Sequence, residues 1–152
     1  MRNEIRQTLF SISLRARILR EWQKANRADD QDFTDRELLT MELISDFAPI
    51  TEKGLCKIFG LSFSSVSDLI KRLDKKGILD VSEKTRGMPL ELTAQGKNVL
   101  GKLKETSSAR FDYLFQVLTP EEEEVLGDIL KRIDTSAEKT IQQLVFDRYS
   151  KD

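Results

Sequence analysis

Between Leu55 and Leu92 the hydrophobic spacing changes character once, and that change limits the folds open to the chain. Leu55, Ile58 and Phe59, and then Val66, Leu69, Ile70 and Leu73, recur at helical intervals. From Ile78 the period becomes two: Leu79 and Val81 alternate with Asp80 and Ser82, and Leu90 and Leu92 flank Glu91. Gly60-Leu61-Ser62 separates the two helical stretches, Gly77 ends the second, and Lys84-Thr85-Arg86-Gly87 joins the alternating runs. The order predicted is helix, tight turn, helix, β-hairpin. Pro89 cannot donate to a ladder, so its strand sits at an edge or pairs poorly near its start.

Longer helical patterns lie on both sides. Residues 3–26 carry Ile5, Leu9, Ile12, Ala16 and Leu19 at steps of four and three, and Phe10, Leu14, Ile18 and Trp22 widen the stripe beyond what one neighbour covers. Asn26 to Asp32 ends that helix. Thr34, with Glu37 three residues on, reads as a capping box for the next one, which carries Leu38, Leu39, Met41, Leu43 and Ile44. Pro49 and Ile50 break its pattern, and Thr51 caps the short helix of Leu55 and Phe59. Residues 95–117 read as one helix bearing Val99, Leu100, Leu103, Phe111 and Leu114. Thr119-Pro120-Glu121-Glu122 is a strong start signal, combining N-cap, proline at the first turn and acids at the positive end of the dipole. The last helix presents Leu126, Leu130, Ile133, Ala137, Ile141 and Leu144 on one face. The fold class expected is mainly α with a small β-hairpin wing. A winged helix-turn-helix lobe spans 34–93, and helical regions at 1–26 and 95–150 flank it.

Composition removes most catalytic chemistries. The 152 residues include no histidine and one cysteine, so Ser-His and Cys-His nucleophiles, imidazole metal ligands and cysteine-rich zinc sites are excluded. No run approaches a membrane span, and the N-terminal stretch has no unbroken apolar segment of signal type. The expectation is a cytoplasmic protein that is not an enzyme, with no cofactor and no metal.

In a winged helix-turn-helix the first helix of the pair braces the second, which offers its N-terminus to base edges and phosphates. Here Ser62 to Lys76 would form a rod about 22 Å long that fits a major groove. Ser62, Ser64, Ser65 and Ser67 cluster at its start, where short hydroxyls permit close approach and free N–H groups favour phosphate. Residues 50–97 hold nine basic and six acidic side chains, a local excess of +3 against −4 elsewhere. Local field, not net charge, governs polyanion binding, and an excess this modest calls for two copies. Ser64, Ser65, Ser67 and Asp68 are the candidates for base reading, Ser62, Lys71, Arg72 and Lys75 for phosphates, and Lys84 and Arg86 for contacts from the wing. Ile5, Leu9, Ile12, Leu130, Ile133, Ala137, Ile141 and Leu144 are the candidate dimer interface, because apolar helices outside a complete winged helix bury each other across a two-fold axis.

The stretch from Leu55-Cys56-Lys57-Ile58-Phe59-Gly60-Leu61-Ser62 to Lys76-Gly77-Ile78-Leu79 resembles the helix-turn-helix of the MarR family of bacterial transcriptional regulators. Leu92-Thr93-Ala94-Gln95-Gly96 is similar to the family's LTxxG after the wing, and Leu118-Thr119-Pro120-Glu121-Glu122 to its last-helix start. The resemblance covers nearly the whole chain. It implies a homodimer on a pseudo-palindromic double-stranded operator, with recognition helices about 34 Å apart. It also implies repression relieved by a small aromatic or amphipathic effector. The wing, Glu83 to Pro89, is shorter than the family's and lacks the Asp that usually orients its Arg. Asp68 stands where a base is common, and would either accept from cytosine N4 or repel phosphate.

Three plainer readings stand beside these. A winged helix can serve as a protein-interaction or architectural module. Cys56 can be an inert packed thiol or a redox sensor, the former favoured because reactive thiols need exposure and a cationic neighbour. Trp22, Phe111, Tyr113 and Phe115 can line an effector cavity or simply belong to the core.

Overall fold

Helices form almost everywhere that the apolar spacing predicts them. The computed structural model describes residues 1–25, 33–47, 49–81, 87–109 and 112–146, which divide into two units, Met1–Thr34 and Asp35–Asp152. The first unit is built on α1 (Arg2–Ala25), whose Ile5, Leu9, Phe10, Ile12, Leu14, Ile18 and Trp22 are all exposed.

The second unit contains α2 (Asp35–Asp46), α3 (Glu52–Phe59), α4 (Phe63–Lys75), α5 (Ala94–Ala109), α6 (Asp112–Phe115) and α7 (Pro120–Ile141), closed by a π-type turn at Gln142–Phe146. Its core is the inward stripe of α2 to α5: Met41 and Ile44, Leu55, Val66, Leu69, Ile70 and Leu73, and Leu100. Ile50, Ile78, Leu79, Leu90 and Leu92 complete it from the wing side. The Arg36 guanidinium lies 4.6 Å from the Phe59 ring centre, a cation–π contact between α2 and α3.

The wing starts as single antiparallel bridges, Leu79 with Leu92 and Ile50 with Leu90. Ile50, which the sequence marks only as a helix breaker, is thus a pairing partner, and Leu90 N–H donates to its carbonyl at 2.7 Å. Of the helix expected over 95–117, α5 (Ala94–Ala109) and α6 (Asp112–Phe115) are helical, and residues 110 and 111 lie outside the described residues. Within α5, Thr106 Oγ1 donates back to the Lys102 carbonyl at 2.8 Å. Thr119 and Glu122 form the predicted capping box at the head of α7, which buries none of its residues.

Candidate nucleic-acid interface

The turn between α3 and α4 is set by three residues. Gly60 adopts φ 63° and ψ 33°, a left-handed C′ position that an L side chain rarely occupies, and its N–H returns to the Cys56 carbonyl. Leu61 N–H donates to the same carbonyl at 3.1 Å. Ser62 is the N-cap of α4, and its Oγ accepts from Ser65 N–H at 3.3 Å. The Ser62 hydroxyl also lies 3.1 Å from that of Ser64 and 2.9 Å from that of Ser65, so the serines form one hydroxyl cluster at the positive end of the helix.

With Val66, Leu69, Ile70 and Leu73 buried, helical geometry turns Ser64, Asp68, Lys71 and Lys75 to the opposite face at steps of four, three and four. Ser64, Lys71 and Lys75 are exposed, and Asp68 is at the surface with them. Ser65 and Arg72 lie on one flank of this stripe and the half-buried Ser67 on the other. Asp68, Lys71 and Lys75 have no ion-pair partner among the described residues, so their charges are free for a ligand. Phe63, at the first position of α4, is 40% exposed and adds an apolar surface beside the serines that no spacing rule singles out. Lys84 and Arg86 lie outside the described residues.

Two devices fix α4 in place. At its C-terminal end, Ile78 N–H donates to the Leu73 carbonyl at 2.9 Å, and Val81 N–H to Asp74 Oδ1 at 3.3 Å. Thr93 Oγ1 then donates to the Gly77 carbonyl at 2.6 Å and accepts from Gly96 N–H at 2.9 Å, while Thr93 N–H donates to the Ile78 carbonyl at 3.0 Å. On the flank, Glu37 of α2, 1% exposed, receives Lys76 Nζ at 2.8 Å and Arg72 Nε at 3.4 Å. The spacing from Thr34 predicts a capping role for Glu37; its carboxylate also reaches α4.

Cys56 is half-buried on α3. Burial and the nearby Glu52 carboxylate push its thiol above the ordinary range, the reverse of what a reactive thiolate needs. Among the described residues no cluster of His, Cys, Asp and Glu is placed to hold a metal ion, and no helix is long and apolar enough to cross a membrane.

Away from the serines, α2 and α7 frame a half-open cleft of about 500 Å³. Leu39, Leu43, Phe47, Ala137 and Ile141 give it apolar walls, and Glu42, Asp46, Asp134 and Glu138 an acidic rim. The Phe47 and Phe146 rings stack at 5.2 Å beside it. Of the aromatics that the sequence offers for a cavity, Phe115 does not line the cleft, Trp22 belongs to the other unit, and Phe111 lies outside the described residues. The candidate interface residues Ile5, Leu9, Ile12, Leu130, Ile133, Ala137, Ile141 and Leu144 are all exposed, Ala137 and Ile141 doubling as cleft walls.

A capped helix with an outward polar stripe, braced by α3 and followed by a paired wing, defines a winged helix-turn-helix protein. No protein-family model matches the chain. Its fold is nonetheless that of the MarR proteins. A MarR family protein from Bacillus stearothermophilus superposes with a TM-score of 0.67 at 15% identity, over 88% of this chain and 93% of that one. FabT of Streptococcus pneumoniae, solved in complex with DNA, gives 0.60 at 21% identity over 92% and 99%. Among curated proteins, an uncharacterized HTH-type transcriptional regulator of Bacillus cereus is 22% identical over 129 residues, 81% of this chain and 88% of that protein.

Proposed function

We propose that this chain is a cytoplasmic, sequence-specific double-stranded DNA-binding transcriptional regulator without enzymatic activity. It acts as a homodimer on a pseudo-palindromic operator, and as a repressor released by a small molecule. The observation that carries the reading is the stripe Ser64, Asp68, Lys71 and Lys75, held outward on a serine-capped helix whose opposite face is the core. Serines at the helix start suit base edges and phosphates, and lysines further along hold the backbone. The kinship with HTH-type regulators, and the likeness in fold to a protein solved on DNA, support the same reading.

Dimerisation through the terminal helices is supported by their unburied apolar faces and by charge. α1 carries a net +4 and α7 a net −4. Two copies of the 34–93 lobe, joined through 1–26 and 95–150, give the pair of reading heads that one weakly basic lobe needs. The effector seat that the geometry favours is the α2–α7 cleft, whose apolar walls and acidic rim suit an amphipathic molecule with a positive charge.

The test is a gel shift with DNA flanking the protein's own gene, repeated over a salt series and with random-sequence competitor. Binding that falls steeply with salt yet survives competitor supports the reading. An absent or salt-insensitive shift favours a protein-interaction module instead. Leu130→Glu with Ile133→Glu is expected to convert dimer to monomer in light scattering. A thermal-shift screen with amphipathic cations and aromatic acids tests the effector, since bound ligand raises the melting temperature.

A further inference from the structure

A carboxylate that loses nearly all its water stays ionised only when cations and hydrogen bonds replace that water. Glu37 is such a group, and the cations that reach it, Arg72 and Lys76, sit one turn apart on the flank of α4, 35 and 39 residues away in sequence. The two carboxylate oxygens divide between them, Oε1 to Arg72 Nε and Oε2 to Lys76 Nζ. That geometry fixes the rotation of α4 about its own axis, because a rolled helix would carry one cation away from the buried acid. It also leaves Arg72 only partly used. Its side chain is 55% exposed, and its terminal guanidinium nitrogens make no hydrogen bond among the described residues. A guanidinium held at Nε has a fixed plane, with its outer fork open to an anion.

We propose that Glu37 is a positioning residue for DNA readout: from α2 it sets the roll of α4 and aims the outer fork of Arg72 at a backbone phosphate. The proposal rests on the DNA-binding reading above. It acts on discrimination more than on bulk attraction, since Glu37 itself adds a negative charge beside the basic surface. Loss of that charge leaves Arg72 and Lys76 less neutralised, so non-specific affinity holds steady or rises while operator affinity falls.

The experiment measures the affinity of the full-length chain for a footprinted operator and for random-sequence DNA, using wild type, Glu37→Gln, Arg72→Met, Arg72→Lys and Lys76→Met. Circular dichroism confirms that each is folded. For Glu37→Gln the expected result is an operator-to-random ratio lowered about tenfold, the scale of one charge-assisted phosphate contact, with random-DNA affinity not reduced. In an Arg72→Met background the same substitution should lower the ratio much less, because its target is gone. Arg72→Lys should lose operator affinity nearly as fully as Arg72→Met, because a lysine's one nitrogen cannot be held by Glu37 and still offer a planar fork to a phosphate. Should Glu37→Gln fail to fold, the Arg72→Lys and Arg72→Met pair still decides the matter. Full retention of the ratio in Arg72→Lys, or equal losses on both DNAs in Glu37→Gln, overturns the positioning role while leaving DNA binding intact. Absence of any operator binding by the wild type overturns the DNA reading and this role together.

Discussion

Two glycines in α5 should respond to the same substitution with opposite signs. A Cβ built on Gly96 falls 2.4 Å from the Ile78 carbonyl oxygen and 3.2 Å from its carbon, and these are backbone atoms that cannot rotate aside. The same carbonyl accepts from Thr93 N–H, and Gly96 N–H donates to the Thr93 hydroxyl, so the close approach is stitched from both sides. Reaching ordinary contact requires a displacement of about 1 Å or more, and overpacking of this kind costs about 1–3 kcal/mol. Weakening the two Thr93 bonds adds about 0.5–1.5 kcal/mol each, partly offset by alanine's better helix propensity. The net destabilisation of Gly96→Ala is therefore about 2–4 kcal/mol, a fall in melting temperature of roughly 5–15 °C for a chain of this size. Gly101, one and a half turns further on, has nothing within 4 Å of its added Cβ. Gly101→Ala should stabilise by about 0.5–1 kcal/mol through propensity alone. Thermal melts of both variants at one fixed protein concentration are the assay. A common sign for the two shifts, or a Gly96→Ala melt that overlays the wild type, would refute the close-approach argument.

Other expectations are narrower. Thr119→Ala removes the hydroxyl of the capping box and should cost about 1 kcal/mol, read by urea unfolding as a lower midpoint with unchanged slope. Cys56 should react with iodoacetamide at about pH 7 more slowly than a free thiol. The rate should climb as pH rises above the ordinary thiol range, because the raised pKa keeps it protonated; Glu52→Gln, by removing a repelling charge, should speed the reaction. Lys71→Ala, on the outward stripe, should weaken operator and random DNA alike and flatten the log–log salt slope by about 0.9 for each phosphate no longer neutralised. A slope that does not change would remove Lys71 from the phosphate-binding set.

Local chemistry makes much of this fold legible from the residues alone. Thr51, Ser62 and Thr119 are the N-caps expected, Gly60 is the left-handed turn residue, and the four-residue inward stripe of α4 is buried, which by elimination gives the outward stripe. What stays hidden depends on distant packing. Ile50 is one residue beside a proline, too short to show a period, and its pairing with Leu90 emerges only when the wing folds back. Thr34, three residues before it, marks Glu37 for a capping box, and nothing within a helical turn announces its further partners on α4. The cleft draws its walls from α2 and α7, about a hundred residues apart, so no spacing rule could assemble it.

Thr93 spends a single hydroxyl on two elements, the carbonyl that follows α4 and the amide that opens α5. Such a weld ties the end of α4, the root of the wing and the start of α5 at one atom. Loss of that one oxygen would therefore unfasten both contacts at once.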